Sequence, residues 1–520
     1  MNISVKKFGL YCAMSVFSAA SSASDGAVGN GITAVSDAPR IQYNHMIFGQ
    51  FIEHFHTQIY GGIYDPGSRF ADADGFRSDV IAALKEIKTP IVRWPGGCFV
   101  STYHWLDGVG DKRTPVYDKS WQVEDPNTFG TDEYIKWCRK VGTEPYICTN
   151  AGTGTPEEMS DWVEYCNLSI GKYGRMRMAN GHEQPYNVKY WSVGNENYGD
   201  WELGAKTVKD WGPLVCESAK LIRSVTRDAK LFAAGRADRA WTLPLLKAAG
   251  RHLDYISLHG YYDPRPLYHY NTPSPYMDCM MQTGRPEREI LETVKILEEA
   301  GLRGKIKIAF DEWNLRYWHH PWHGDLRKGF EIEARNKNDE NSTYTMADAL
   351  FSACFLNTCL RNSADVEIAC FSPIVNTRGA IFVHPNGIVK RTTFHTFSMY
   401  TNLLEDWIVP VAVTSENLTE KEQRTPVIDG ILTSNSAGTR YVYAIVNKDP
   451  QKGRSVRLDL KVLPSFKGKK VKGVILQGSS TDDYNDIGSE NRVTPQERQY
   501  SLKDGSVILP PHSINFLYIE

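Results

Sequence analysis

The sequence predicts a (β/α)₈ barrel followed by a C-terminal all-β sandwich domain. Eight short apolar runs alternate with eight segments of helical period, which is the element count of such a barrel. The helical period ends near Leu404, and only strand-like runs follow. An open doubly wound sheet is the alternative fold, but as a nucleotide-binding fold it would usually carry a glycine-rich phosphate loop after its first strand. This chain has "GQFIEH" at that place, which favours the barrel.

Residues 1–24 have the layout of a secretory signal peptide. Lys6 and Lys7 precede a mostly apolar run, and small residues follow it. We therefore expect a periplasmic or secreted protein. No later run is apolar and long enough to span a bilayer, and a net charge of −2 gives no reason to expect a nucleic-acid or membrane partner. Residues 25–44 form a short N-terminal segment, which is a candidate strand of the sandwich domain.

The barrel is predicted over residues 45–404. Its strands are apolar or β-branched runs that begin, in order, at Met46, Pro90, Pro145, Val188, Leu231, Tyr255, Lys307 and Ile368. Its helices carry apolar residues at three- and four-residue spacing, over residues 76–87, 131–142, 155–166, 212–225, 242–250, 287–301, 345–360 and 392–404. Thr155 is a candidate N-cap, and Gly142, Gly250 and Gly301 mark helix ends.

Residues 405–520 form the predicted β-sandwich. Runs such as "RYVYAIVNKD", "SVRLDLKVL", "KKVKGVILQG" and "HSINFLYIE" are separated by Gly, Pro, Ser and Asn. Of ten cysteines, Cys12 lies in the leader, which leaves nine, an odd number. Five of the nine lie in helical segments among bulky apolar residues, where a cysteine is more often a small buried hydrophobic residue than a disulfide partner. We therefore predict no disulfide framework.

Three predicted strands end in a carboxylate. These are Glu53 after the first strand, Glu196 after the fourth, where it follows Asn195, and Glu312 at the seventh. Barrel enzymes carry their catalytic groups at these C-terminal strand ends. Hydrolysis of a glycosidic bond needs a carboxylic acid for the leaving oxygen and a carboxylate for the anomeric centre. A single strand-end glutamate is as often a capping or loop residue, but two at strands four and seven favour a glycosidase.

Other chemistries have weaker support. Histidines cluster at residues 54–56 and 318–324, yet no carboxylate or cysteine completes a ligand set at either place, and we predict no catalytic metal and no other cofactor. Ser101, Ser192 and Ser257 lack the context of a nucleophile elbow. A glycine-rich nucleotide motif is likewise missing from the sequence.

Six blocks resemble, in order, those of the α-L-arabinofuranosidases of glycoside hydrolase family 51: "FGQFIEHFHTQIYGGIYDP", "IVRWPGGCFVSTYHWLDGVG", "FGTDEYIKWCRKVGTEP", "WSVGNENYGDWELG", "YISLHGYY" and "IAFDEWN". The resemblance runs from about Phe48 to Asn314 and continues more loosely to the C-terminus. It implies a retaining, exo-acting barrel enzyme that acts on arabinose-containing plant polysaccharides or oligosaccharides. It also favours a homo-oligomer.

The resemblance also implies residue roles. Glu196 is similar to the family's general acid/base and Glu312 to its nucleophile. Asn195 resembles the residue that hydrogen-bonds the sugar 2-hydroxyl, and Glu53 resembles a carboxylate that binds the furanose hydroxyls. Trp201 resembles an aromatic residue that lines the aglycone side.

Three further residues resemble neighbours of the nucleophile. Arg93 is similar to an arginine beside it, Tyr261 to a tyrosine that hydrogen-bonds it, and His259 to a polar residue of the same subsite; the adjacent Tyr262 is an alternative to Tyr261. We expect Arg93 and Tyr261 to keep the nucleophile ionised, and we expect desolvation or the nearby negative charge to raise the pKa of Glu196.

Two positions depart from the family pattern. Cys98 stands where the family commonly has Asn, and it lacks the paired donor and acceptor of an amide. Pro373 stands where the family commonly has Gln. Both positions belong to the family's sugar-binding subsite, so an endo-β-glucanase or β-xylosidase specificity stays open. A non-catalytic carbohydrate-binding barrel is a third hypothesis, against which the presence of Glu196 and Glu312 argues.

Overall fold

Eight parallel strands close into a barrel in chain order, which confirms the predicted fold class. The strands are Gly49–Phe51, Ile91–Trp94, Glu144–Thr149, Tyr190–Val193, Lys230–Ala234, Tyr255–Tyr261, Lys307–Asn314 and Val366–Phe371. The eighth strand pairs with the first and completes the ring. This computed structural model describes residues 29–264, 273–317 and 339–520. The predicted leader and the histidine-rich residues 318–324 lie outside the described residues.

Helices at all eight predicted positions surround the barrel. They span Ser78–Glu86, Thr131–Val141, Pro156–Asn167, Val208–Val225, Arg239–Ala249, Arg285–Glu299, Met346–Arg361 and Thr392–Leu403, with two further helices at Gly171–Ala179 and Tyr276–Met281. The Thr155 side chain caps one helix by accepting from the backbone N–H of Glu158. Helix Met346–Arg361 is buried on all sides because it lies between the barrel and the C-terminal sheets.

The bottom of the barrel is filled by apolar side chains. Phe51, Tyr146, Phe232, Tyr255 and Ile368 come from different strands and form one buried cluster. The aromatic rings of this cluster stack, with centroids 4.4 Å apart for both the Tyr146–Phe232 and Phe232–Tyr255 pairs. This layer makes the barrel a packed core rather than a pore.

The C-terminal domain is built on two β-sheets that pack face to face, with an added two-stranded sheet of Asn417–Glu420 and Gln423–Pro426. The smaller of the two packed sheets holds, in spatial order, Val411–Thr414, Asn30–Ala34, Arg454–Leu458 and Ser506–Leu509. The larger holds Ile41–Gln42, Trp407–Val409, Ile428–Ser434, Tyr441–Asn447, Ser513–Ile519, Lys470–Gln477 and Gln496–Ser501. Alternating side chains from both sheets share one buried cluster. The N-terminal segment thus contributes one strand to each of the two packed sheets.

The nine cysteines of the described residues are all free, and seven of them are buried. Their positions in helices and barrel strands agree with small apolar packing residues. Within the described ranges, the helices are all too short or too polar to cross a bilayer.

Candidate active site

The three strand-end carboxyl groups lie at the C-terminal mouth of the barrel. Glu53 follows the first strand, Glu196 follows the fourth, and Glu312 lies within the seventh. Oxygen atoms of Glu196 and Glu312 and a ring nitrogen of His259 lie within 4.8 Å of one another. Glu53 and Glu312 are buried, whereas Glu196 is half-buried. The fold therefore brings together the two glutamates that the sequence analysis paired.

Local backbone geometry allows this close approach. A Cβ atom on Gly96 would lie 2.3 Å from Cγ of Glu53, and one on Gly97 would lie 3.4 Å from Oε2 of Glu312 and 3.5 Å from Oε1 of Glu53. The clash at Gly96, which also has a φ of +154°, requires a glycine there, whereas the Gly97 distances are ordinary van der Waals contacts. Glu196 itself has a φ of +42°, a left-handed conformation that is uncommon for a glutamate. Such outliers concentrate at functional sites.

Glu312 is held by two donors. Nη1 of Arg93 donates to its Oε2 at 2.9 Å, and the Tyr261 hydroxyl donates to its Oε1 at 2.5 Å. Both contacts match the expectation for a nucleophile that must stay ionised. The neighbouring Tyr262 donates instead to Glu289 outside the barrel. Of the two adjacent tyrosines, Tyr261 is therefore the one that contacts the candidate nucleophile.

Asp311 is a site residue that the sequence analysis missed. In a regular strand it would point away from Glu312, but strand seven has an extra residue relative to strand six, because Ser257 pairs with Ala309 and His259 with Glu312. The buried Asp311 accepts from the Ser257 hydroxyl at 2.6 Å. It also lies 3.5 Å from Nε2 of His259. The sequence "FDEWN" shows Asp311, but it does not reveal the bulge that turns this side chain inward.

Glu196 has an environment that contradicts one prediction. Nδ1 of His259 lies 2.9 Å from its Oε1, and Nε1 of Trp201 donates to its Oε2 at 2.8 Å. Burial raises the pKa of Glu196. The hydrogen bond and charge of His259, the hydrogen bond from Trp201 and the charge of Arg93 together outweigh burial and leave that pKa below its usual value. The expectation of a raised pKa was wrong because the side chain of His259 lies directly against this carboxylate.

His259 is a buried cation at neutral pH. Burial lowers its pKa, but the charge of Glu312 and the hydrogen bonds with Asp311 and Glu196 raise that pKa to about 10. The imidazolium therefore lies between the candidate acid/base on one side and Asp311 on the other. The protons of this cluster belong to interacting groups rather than to single residues.

Glu53 offers a free oxygen to the site. Its Oε1 accepts from the backbone N–H of Phe99 and from Nε1 of Trp121, both at 3.0 Å. Its Oε2 is buried and has no hydrogen-bond partner among the described residues. Burial and the charge of Glu312 raise the pKa of Glu53 well above its usual value. A buried oxygen without a partner suits a sugar hydroxyl.

Asn195 and the two departures from the family pattern lie around the same opening. Nη2 of Arg93 donates to Oδ1 of Asn195 at 2.8 Å, so one arginine holds both Asn195 and Glu312. Cys98 is half-buried in the loop after the second strand, and Pro373 follows the end of the eighth strand. The structure thus places the departing positions at two of the strand ends that surround the candidate site.

Glu202 is a second missed residue. It is buried, and it lies with Cys98 and Glu196 in a cluster whose ligand atoms are within 4.8 Å of one another. It accepts a hydrogen bond from the Ser101 hydroxyl. Burial and the charges of Glu196 and Glu312 raise the pKa of Glu202 to about 7. Hydrogen bonds from Cys98 and Ser101 lower that pKa but do not offset the rise. Its position in a turn after strand four gave no periodic signal for burial.

Trp201 lies at the rim of the site. Its side chain is 60 % exposed although its Nε1 is tied to Glu196. The ring meets Tyr198 edge to face, with centroids 6.1 Å apart. A fixed aromatic face open to solvent beside the candidate acid/base is suited to stack on a leaving sugar.

Within the described ranges, two groups of side chains are close enough together to hold a metal ion. These are Cys98 with Glu196 and Glu202, and Glu196 with His259 and Glu312. The imidazolium of His259 is already engaged by carboxylates on both ring nitrogens, which leaves it no lone pair for a metal. At residues 54–56, His54 lies 2.8 Å from Asp125 through Nδ1, and its Nε2 accepts from Trp94.

Two family models match the chain. The model described as the alpha-L-arabinofuranosidase 1 domain matches residues 83–276. The model described as the alpha-L-arabinofuranosidase C-terminal domain matches residues 311–513. The first contains the second to sixth barrel strands in full, and the second extends from the seventh strand through most of the C-terminal sheets.

Relatives match over most of the chain. Alpha-L-arabinofuranosidase C of Emericella nidulans is 33 % identical over 457 residues, which are 82 % of this chain and 87 % of the relative. The intracellular exo-alpha-(1→5)-L-arabinofuranosidase 1 of Bacillus subtilis is 37 % identical over 352 residues, 66 % of this chain and 69 % of the relative. The solved structure of the thermostable GH51 alpha-L-arabinofuranosidase from Thermotoga petrophila has a TM-score of 0.80 and 31 % identity, and the match covers 95 % of this chain and 100 % of that one.

Proposed function

Because the chain belongs to the α-L-arabinofuranosidase family, and is therefore a glycoside hydrolase, we propose that it is a retaining, exo-acting enzyme of glycoside hydrolase family 51. Its substrates would be arabinose-containing plant oligosaccharides or polysaccharides, from which it removes terminal non-reducing α-L-arabinofuranosyl residues. The exo action is supported by the relative from Bacillus subtilis, whose name states it for that protein. The family 51 assignment is supported by the resemblance to the Thermotoga petrophila enzyme.

One observation carries the retaining mechanism. Carboxylate oxygens of Glu196 and Glu312 lie within 4.8 Å of each other. Retaining glycosidases have carboxyl groups about 5 to 5.5 Å apart, whereas inverting enzymes need about 6.5 to 9.5 Å to admit a water molecule between them. The short separation supports direct attack by one carboxylate on the anomeric carbon.

The two glutamates then take different roles. A Glu312 oxygen bonds to the anomeric carbon as the bond to the leaving oxygen breaks, and the leaving oxygen receives a proton from Glu196. In the second half-reaction a water gives its proton to Glu196, and its oxygen displaces Glu312 from the anomeric carbon. The donors on Glu312, Arg93 and Tyr261, support its role as the ionised partner.

A general acid must carry a proton, but the lowered pKa of Glu196 favours its ionised form, so a neighbouring group has to supply the proton. We propose that His259 and Glu196 share one proton across their 2.9 Å contact. As the Glu312 carboxylate becomes an ester, it loses the charge that most favours the imidazolium. The proton then moves from Nδ1 of His259 to Glu196, and from Glu196 to the leaving oxygen as negative charge develops on that oxygen.

The decisive experiment compares initial rates on an aryl α-L-arabinofuranoside, an aryl β-xyloside and a soluble β-glucan. A preference for the arabinofuranoside, with the α-anomer as the first product by NMR, is the expected result. Inactivity on it with turnover of either other substrate would mean that Cys98 and Pro373 mark a changed specificity. A β-anomeric first product would contradict retention.

Export and self-association are two further proposals. Export rests on the predicted signal peptide, and the Bacillus subtilis relative is named as intracellular, so it does not support export. N-terminal sequencing of the mature protein from a fractionated culture tests the proposal. The homo-oligomer is proposed from the resemblance alone, and light scattering of the purified protein tests it.

A further inference from the structure

The buried carboxyl group of Glu202 has no part in the roles proposed above. It lies six residues after Glu196, is only 3 % exposed and contacts two different barrel loops. Its Oε1 accepts from the Ser101 hydroxyl of the second loop, and its Oε2 lies 3.4 Å from Nδ2 of Asn195 in the fourth. Cys98 also shares a hydrogen bond with it. Glu202 therefore ties the second and fourth loops together beside Glu196 and Asn195.

These contacts fix the orientation of the Asn195 amide. Its oxygen accepts from Nη2 of Arg93 at 2.8 Å, and its nitrogen faces the Glu202 oxygen. A flipped amide would oppose donor to donor at Arg93, which cannot accept a hydrogen bond, so Nδ2 is the atom that faces Glu202. One N–H of Asn195 is used by Glu202, which leaves the other for a ligand.

We propose that Glu202 is a positioning residue that holds Asn195 for the sugar 2-hydroxyl and compensates for the missing amide at Cys98. The proposal rests on the proposed function. Cys98 lacks an amide's paired donor and acceptor, whereas a carboxyl group that carries a proton offers both. Glu202 thus returns a donor and an acceptor next to the position where the family has Asn.

The site places Glu202 where its neutral form is favoured. The carboxylates of Glu196 and Glu312 act on it as negative charges, and the neutral Ser101 and Cys98 hydrogen-bond with it. Burial and these charges raise its pKa to about 7, so most molecules carry the neutral form under mildly acidic conditions. A permanently neutral glutamine should therefore replace it better than an apolar side chain of similar size.

The test compares Glu202→Leu and Glu202→Gln on an aryl α-L-arabinofuranoside and on its 2-deoxy analogue, with spontaneous hydrolysis subtracted. The 2-hydroxyl contact strengthens in the transition state, so the Leu variant should lose about tenfold to a hundredfold in kcat/KM, mostly in kcat, on the parent substrate. On the 2-deoxy analogue it should stay within about threefold of the wild type. Glu202→Gln should keep most of the activity on both substrates.

A double-mutant cycle with Asn195→Ala isolates the proposed path. Glu202→Leu should cause no further loss in kcat/KM once Asn195 is alanine. Equal losses on both substrates, or full additivity with Asn195→Ala, would overturn the proposal. If the Leu variant does not fold, Ser101→Ala, which releases Glu202 from its donor, replaces it and should lose activity on the parent substrate alone.

The control is Glu289→Leu, which removes a carboxyl group that accepts from Tyr262 outside the barrel. It should leave kcat/KM unchanged on both substrates. Failure of the proposed function looks different from failure of this inference, because the wild-type protein itself would then be inactive on the arabinofuranoside. A wild type that is active while the Glu202 variants match it would reject only the positioning role.

Discussion

Nδ1 of His259 lies 2.9 Å from Oε1 of Glu196, so a buried imidazolium contacts the candidate acid/base directly. The opposite ring nitrogen lies 3.5 Å from Asp311, which anchors the ring from below. An acid/base that is only a carboxyl group would need a raised pKa, whereas Glu196 has a lowered one. The pair of His259 and Glu196 is therefore the unit that holds the proton.

His259→Gln should shift the alkaline limb of the kcat/KM profile to lower pH. The pKa of His259 is raised to about 10, so the wild-type pair keeps its proton until the pH approaches that value. In the variant, Glu196 alone must carry the proton, and a carboxyl group loses it at a much lower pH. We expect about a hundredfold lower kcat/KM at neutral pH. An alkaline limb that stays in place would contradict the shared proton.

Glu312→Ala and Glu196→Ala should fail in different ways on an activated aryl arabinofuranoside. Loss of the nucleophile should remove nearly all turnover, about 10⁴-fold or more. Loss of the acid/base should slow the second half-reaction, and azide should restore turnover by attacking the glycosyl enzyme from the side that Glu196 leaves open. The product should be the α-arabinofuranosyl azide, identified by NMR. Full activity in either variant would reject the two roles.

Arg93→Lys should lower kcat/KM by about a hundredfold because one guanidinium holds two groups of the site. Nη1 donates to Glu312 and Nη2 to Asn195, and a lysine ammonium cannot reproduce this planar fork. The lysine keeps a charge near Asp311 and Glu312, so the protein should still fold.

Arg93→Met should in addition lower the free energy of unfolding by about 3 to 5 kcal/mol, because it leaves buried carboxylates without their cation. Steady-state kinetics and urea unfolding measure the two effects. A lysine variant with wild-type kcat/KM would mean that the fork is not needed.

The sequence pattern predicted the scaffold more completely than the site. Every barrel strand is an apolar run near its predicted position, because burial inside a ring of helices demands such runs. Glu196 and Glu312 could be paired from the sequence because the C-terminal ends of barrel strands meet at one mouth. Asp311 was missed because a bulge breaks the alternation of strand seven. Glu202 was missed because its partners, Ser101 and Asn195, come from two loops whose approach only the closed barrel creates.

His395→Leu should make the protein more resistant to mild acid. His395 lies on helix Thr392–Leu403, is 7 % exposed, and its Nε2 has no partner among the described residues. Burial and the charge of Lys390 lower its pKa to about 4, below the unfolded value of about 6.5. As the pH falls below about 6.5 the unfolded chain therefore binds a proton first, and up to about 3 kcal/mol of stability is lost by pH 4.

Urea unfolding at pH 7 and pH 4.5 should show a smaller difference in the free energy of unfolding for the variant than for the wild type. The exposed His45→Leu serves as control and should keep the wild-type difference, and an unchanged difference in His395→Leu would exclude this residue as a source of acid sensitivity.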